Sequence, residues 1–242
     1  MISLRIISRL LEYPDQALWQ GKAELLAALN EANELSSMQQ VALGAAIRWR
    51  CAGRLLDAQA EYTGLFDRGR STSLLLFEHV HGESRDRGQA MINLLEHYRQ
   101  AGLQLNSYEL PDHLPLFLDF LSMSSPKDAQ EWLASIAPIL ALLGARLHQR
   151  NSGYAPLFDL LTQLSGSQAR SQNLLPKVRE EAPDDTPAAL DAVWEEEQVR
   201  FMVEQGGCSD EAAKQHQRRF TGSVAPQYLD VGAAAPQGRG SE

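Results

Sequence analysis

Apolar residues recur three and four positions apart along most of the chain, the spacing that gathers side chains on one face of an α-helix. Ile2, Ile6, Ile7, Leu10 and Leu11 form the first such stripe, which Pro14 ends, and Leu18, Leu25, Leu26 and Leu29 form the next. Further helices are predicted from about Ser36 to Arg50, and from about Asp57 through Ala58, Tyr62, Leu65 and Phe66, where Gly69 breaks the pattern. Residues 71–79 are short and apolar and close at Gly82. Asp86 to Ala101 carries Ala90, Met91, Leu94, Leu95 and Tyr98 on one face, with Gly102 placed as a C-terminal cap. After the turn Leu110-Pro111-Asp112, an apolar helix is predicted from about His113 to Leu121. Asp128 to Arg150 is longer, with Pro138 as an expected kink or restart, and Tyr154 to Leu164 closes this body.

The pattern then changes. Ser165 to Asn173 is rich in Ser, Gln and Gly and reads as a linker. Thr186-Pro187 opens a helix through about Glu204, with Thr186 as N-cap and proline in its favoured first-turn position. A weaker helix covers about Ser209 to Phe220, and the Ala-, Gly- and Pro-rich end is expected to be disordered. The expected organisation is a helical domain over 1–165, a linker and acidic lead-in over 166–185, a helical extension over 186–220 and a largely disordered tail over 221–242.

Composition supports an all-α reading. There are 37 Leu and 30 Ala against 20 Val, Ile and Thr together, and β-branched residues are the ones that favour strands. A chain of 242 residues, 44% hydrophobic, is long enough to bury a core without disulfides or metal. Cys51 and Cys208 lack the paired spacing of a zinc or redox site and read as incidental thiols. The longest apolar run, Ile136 to Leu143, is eight residues and contains Pro138, well short of the roughly 20 a membrane-spanning helix needs. Charges interrupt the apolar residues of the first helix, which does not read as a signal peptide. A cytoplasmic protein without membrane insertion is expected.

The formal net charge is −9, but eight acids and no base lie between Glu180 and Gln198, and the rest of the chain holds 23 acids against 22 bases. A nearly neutral body argues against nucleic acid as a partner. Within the acidic segment, Asp184 and Asp185 stand where a helix dipole favours anions. Glu195, Glu196 and Glu197 lie too far along to benefit, and read either as a solvated face or as a contact for a basic client.

Three constellations could carry chemistry. In Glu78-His79-Val80-His81-Gly82-Glu83, helical geometry turns the two histidines apart, so a satisfied loop or cap is favoured over a metal site. Arg68, Arg70, Arg85 and Arg87 occupy two short loops with alternating acids; they could clamp an anion or partner, or pair with those acids. Pro111 to Leu121 reads as a capped core helix, with Asp112 as cap and His113 in the first turn, and its composition also suits the wall of a groove. No nucleophile elbow or phosphate loop is present, so enzymatic activity has no positive support.

Glu61-Tyr62-Thr63-Gly64-Leu65-Phe66 and the turn Pro111-Asp112-His113-Leu114 resemble the redox-enzyme maturation chaperones of the TorD and DmsD class. The 26 residues from Phe66 to Met91, and Asp184-Asp185-Thr186-Pro187 with Leu190 to Val199, resemble the branch that assembles nitrate reductase. The resemblance implies a helical chaperone without a cofactor of its own. Its implied client is the apo catalytic α subunit of respiratory nitrate reductase, in its αβ complex, which it releases after the molybdenum cofactor and an iron–sulfur cluster are inserted. Molybdenum cofactor biosynthesis proteins are further implied partners. Glu61, Tyr62, Phe66, Pro111, Asp112, His113, Leu114, Phe117 and Leu118 are the expected client-peptide residues. Arg68, Arg70, Arg85, Arg87, Glu195, Glu196 and Glu197 are the expected second contact, and a scaffold acting through the Arg68–Arg87 loop is the alternative.

Overall fold

The computed structural model describes residues 1–81, 85–105, 109–189 and 191. Among them are eleven helices and no strand: α1 (Ile2–Leu11), α2 (Gln16–Gln20), α3 (Lys22–Asn30), α4 (Ser37–Arg50), α5 (Leu55–Phe66), α6 (Glu78–His81), α7 (Arg85–Gln100), α8 (Leu114–Met123), α9 (Pro126–Gln149), α10 (Ala155–Leu164) and α11 (Ser171–Val178). They belong to one unit, Met1–Leu190; the second unit, Asp191–Glu242, lies outside the described residues apart from Asp191. The helices expected over 186–204 and 209–220, the tail, and Glu195, Glu196 and Glu197 therefore lie almost wholly outside the described residues. Thr186 does accept a hydrogen bond from the Ala189 N–H at 3.2 Å, as an N-cap does.

Local signals set most of the boundaries. Ser36 and Gln39 form a reciprocal capping box at the start of α4, and Ser125 caps α9 ahead of Pro126. Gly102 ends α7 with φ +78°, and Leu103 N–H reaches back to the Tyr98 carbonyl at 2.9 Å. The stripe from Leu18 to Leu29 divides at Gly21 into α2 and α3. α9 runs unbroken past Pro138, and α11 occupies part of the stretch expected to be a linker, with Ser171 and Val178 fully buried.

α9 is the central helix, packed by α8, α10 and α11, while α1 lies against α8 and α3. Leu4, Ile7, Leu10 and Leu11 of α1 and Leu114, Leu118 and Leu121 of α8 are all at 0% exposure. Burial of each contributes roughly 1.5–3 kcal/mol. A second cluster surrounds Tyr154, whose ring meets Trp49, Phe66 and Tyr62 edge-on and takes the buried Arg50 guanidinium 5.2 Å from its centroid.

Candidate functional site

The chain between α7 and α8 turns sharply at Pro111-Asp112-His113 and is tied down from two sides. Tyr98 of α7 donates its hydroxyl to the Pro111 carbonyl at 2.7 Å. The segment before α6 runs antiparallel beside the turn: Leu76 N–H reaches the Asp112 carbonyl at 3.0 Å and Leu114 N–H reaches the Leu74 carbonyl at 2.8 Å. Asp112 is fully buried, and its Oδ2 accepts from the Phe77 N–H at 3.0 Å. Its side chain thus joins the two segments and does not cap α8. The N-cap position belongs to His113, which makes no capping bond with its side chain.

This placement turns most of the expected client residues toward the core. Pro111, Asp112, Leu114, Phe117 and Leu118 are buried, as are Tyr62 and Phe66 of α5, because the apolar faces of both helices close on the core. Glu61 is exposed on α5. Of the expected client residues, Tyr62 and His113 alone border the open groove found here.

That groove, about 670 Å³, lies over the turn, between the end of α1, α5 and α8. Tyr13, Pro115 and Leu116 give it apolar surface, and Glu12, Asp15, Asp67, Glu109 and Asp119 give it five carboxyl groups against Arg9 and His113. Arg9 is itself held by Glu12 and Asp15, each at 2.5 Å. A second depression of about 690 Å³ shares Arg9, Glu12 and Asp119 and continues along α1 over Ile2, Ile6 and Leu25. The combined surface suits an extended or helical segment with an apolar face and basic residues. The sequence reading missed its α1 side; the signal was the charged run Arg9 to Asp15 directly after the strongest apolar stripe.

His79 does not face outward as a metal ligand would. It turns into the loop and donates from Nε2 to the Ser73 carbonyl at 2.8 Å, which is the satisfied-loop reading. Gly82 and Glu83 lie outside the described residues. Arg87 pairs with Glu78 at 3.4 Å and fastens α7 to α6, whereas Arg68 and Arg70 are exposed. Arg85 opens α7. Burial pushes both His79 and His113 below the ordinary imidazole range; the Ser73 bond opposes it at His79, and Glu109 and Asp112 oppose it at His113, without cancelling it. Burial therefore favours the neutral form of His113 more than in an unperturbed histidine.

A stability effect follows from that direction. Unfolded, each imidazole takes up its proton below about pH 6.5, while the folded protein resists protonation to a lower pH. The unfolded state therefore binds more protons, and the contribution present above about pH 6.5 is lost as pH falls through the folded values. Urea unfolding at about pH 7.5 and about pH 5.5 should show the loss, and His79→Gln should reduce it. Equal slopes for variant and parent would count against it.

The fold and groove define a class: an all-helical protein with an open, carboxylate-rich groove and, among the described residues, no group of three metal-ligating side chains close enough to hold an ion. Residues 15–159 match the nitrate reductase delta subunit family, and the chain belongs to that family. It is 59% identical to the nitrate reductase molybdenum cofactor assembly chaperone NarJ of Escherichia coli K-12, over 96% of this chain and 98% of the relative. It is 50% identical to a protein of the same organism named as the probable nitrate reductase molybdenum cofactor assembly chaperone NarW, over 95% of this chain and 97% of the relative. A solved structure, described as a redox enzyme maturation protein from Archaeoglobus fulgidus, superposes with a TM-score of 0.49 at 20% identity, covering 69% of this chain and 94% of that one. No described helix is long and apolar enough to cross a membrane.

Proposed function

We propose that this protein is an assembly chaperone for a respiratory nitrate reductase. It binds the N-terminal segment of the apo catalytic α subunit in the cytoplasm, keeps the subunit open while the molybdenum cofactor and an iron–sulfur cluster are inserted, and leaves before the enzyme settles on its membrane anchor. The observation that carries this reading is the 59% identity to an assembly chaperone along nearly the whole length of both chains. Molybdenum cofactor biosynthesis proteins are the natural further partners, and the chaperone has no catalytic step to perform.

The groove beside His113 is the seat for the client segment. Three or four apolar side chains placed on Tyr13, Pro115 and Leu116 would each gain about 1.5–3 kcal/mol, from which association subtracts several. The carboxylates at its rim add about 0–1 kcal/mol apiece and set orientation and register. Asp67→Asn combined with Glu109→Gln should weaken binding of a client N-terminal peptide by about fivefold and flatten its salt dependence. Calorimetry at two ionic strengths measures both effects, and an unchanged salt slope would remove the groove from consideration.

The role as a whole is tested by co-purification with tagged apo-catalytic subunit from cells with and without molybdenum cofactor synthesis. Retention confined to cofactor-free cells is the expected result; equal retention in both contradicts release on maturation. A client lacking its N-terminal segment separates the groove from the exposed Arg68 and Arg70, since binding that survives the truncation belongs to that other surface.

A further inference from the structure

Residues 180–185 follow α11 and fold back as a strap across α9 and the loop after α5. Arg146 grips Glu181 with both arms of its guanidinium, Nε at 2.7 Å and Nη2 at 3.0 Å, and sends Nη1 to the Ser71 carbonyl at 2.7 Å. One helical turn on, Arg150 donates to Asp184 at 2.9 Å, to the Ser71 hydroxyl at 3.1 Å and to the Thr72 hydroxyl at 2.6 Å. Asp184 is the acceptor at the centre: the Ser71 N–H reaches one carboxylate oxygen and the Ser71 hydroxyl the other, both at 2.7 Å. A Cβ at Gly69 would stand 2.8 Å from both oxygens, so a side chain there would collide with the bound anion. Partial burial pushes the Asp184 carboxyl upward, but the Ser71 hydrogen bonds and the Arg150 charge outweigh it and hold it below its ordinary value.

A glycine turn, the Ser71 N–H and hydroxyl and an arginine fork make up a seat for a tetrahedral oxyanion, while the Thr72 hydroxyl, which donates to the Leu65 carbonyl, holds Arg150 in place; nothing in the seat is specific to a planar carboxylate. None of Gly69, Ser71, Thr72, Arg146, Arg150 and Asp184 lines the groove assigned to the client, so the seat has no part in the function proposed above. The acids that fill it come from the chain itself, and their departure would leave Arg146 and Arg150 without their strap partners. A doubly charged phosphate has more acceptor oxygens than Asp184 to offer the same donors.

We propose that the Gly69–Thr72 turn and Arg150 form a phosphate-binding site in which Asp184 is a resident internal ligand, and that a phosphate group displaces the 180–185 strap. An internal ligand acts at high effective concentration, so the parent chain binds free phosphate weakly, and removing Asp184 uncovers the affinity.

Titration calorimetry of the full chain with inorganic phosphate, at constant ionic strength, tests this. Asp184→Ala should bind about tenfold more tightly than the parent, with Asp184→Asn intermediate, and adding Arg150→Gln to Asp184→Ala should abolish the gain. Circular dichroism checks that each variant is folded. Equal affinity in the parent and both Asp184 variants, or a gain that survives Arg150→Gln, overturns the proposal. In the parent chain, millimolar phosphate should speed tryptic cleavage at Lys177 and Arg179 severalfold over chloride of matched ionic strength. Equal cleavage in the two salts would reduce the effect to charge screening and overturn the displacement.

Discussion

Phe117→Asp should abolish the folded protein instead of merely blocking a client. Phe117 is 2% exposed, and its ring lies edge-on to Trp132 at 5.8 Å and beside Phe120 at 6.3 Å. Truncating a buried phenylalanine costs about 3–5 kcal/mol, and the carboxylate left among those rings must be desolvated or protonated at a further cost of several. The sum approaches or exceeds the roughly 5–15 kcal/mol that holds a domain together. Thermal melts followed by circular dichroism should show no cooperative transition for Phe117→Asp. Phe117→Leu should melt only a few degrees below the parent and bind client peptide unchanged. A folded Phe117→Asp protein that had lost only its peptide would mean that this side chain lines the binding surface after all.

The second large effect is expected at Asp112. The residue is at 0% exposure and holds the Phe77 N–H, so Asp112→Ala leaves a buried donor unpaired and a small void beside it. The expected loss is about 2–4 kcal/mol, which lowers the melting temperature of a chain this size by about 5–15 °C. Asp112→Asn retains an acceptor oxygen for the Phe77 N–H and should lose less than half as much. Differential scanning calorimetry of the pair separates the hydrogen bond from general packing: equal losses in Ala and Asn would show that the bond contributes nothing.

These two residues also show how far the sequence could be read. The helical class follows from the Leu and Ala excess and its period, and Gly102 marks the end of α7 because few other residues cap a helix so readily. Periodicity says that Tyr62, Phe66, Leu114, Phe117 and Leu118 share faces, but not whether such a face meets solvent or the core. Of the residues expected to line a groove, Phe66, Pro111, Asp112, Leu114, Phe117 and Leu118 face the core, Tyr62 and His113 border the open groove, and Glu61 is exposed. Asp112 looks like a helix cap because Asp before an apolar run usually is one. Its actual partner, Phe77, is 35 positions away, and only tertiary structure brings it near. The Ser, Gln and Gly composition hid α11 in the same way, since its burial rests on Ser171 and Val178 meeting the core. Asp184, read as a charge placed for a helix dipole, is bound instead by Ser71 and Arg150, where an arginine pair at 146 and 150 was a signal that went unused.

The closure of α1 on α8 has a consequence in time as well as in space. The Ser8 hydroxyl meets the Pro115 carbonyl across 107 positions, and Ser71 meets Asp184 across 113. On a growing chain the first helix is made long before α8, so the part of its apolar face that α8 covers stays open until α8 has been synthesised, even after α3 has packed against it. Long-range contacts of this kind slow folding and prolong exposure of sticky surface. The order in which this protein is built runs counter to the order in which it is sealed, and the earliest part of the chain is among the last to be secured.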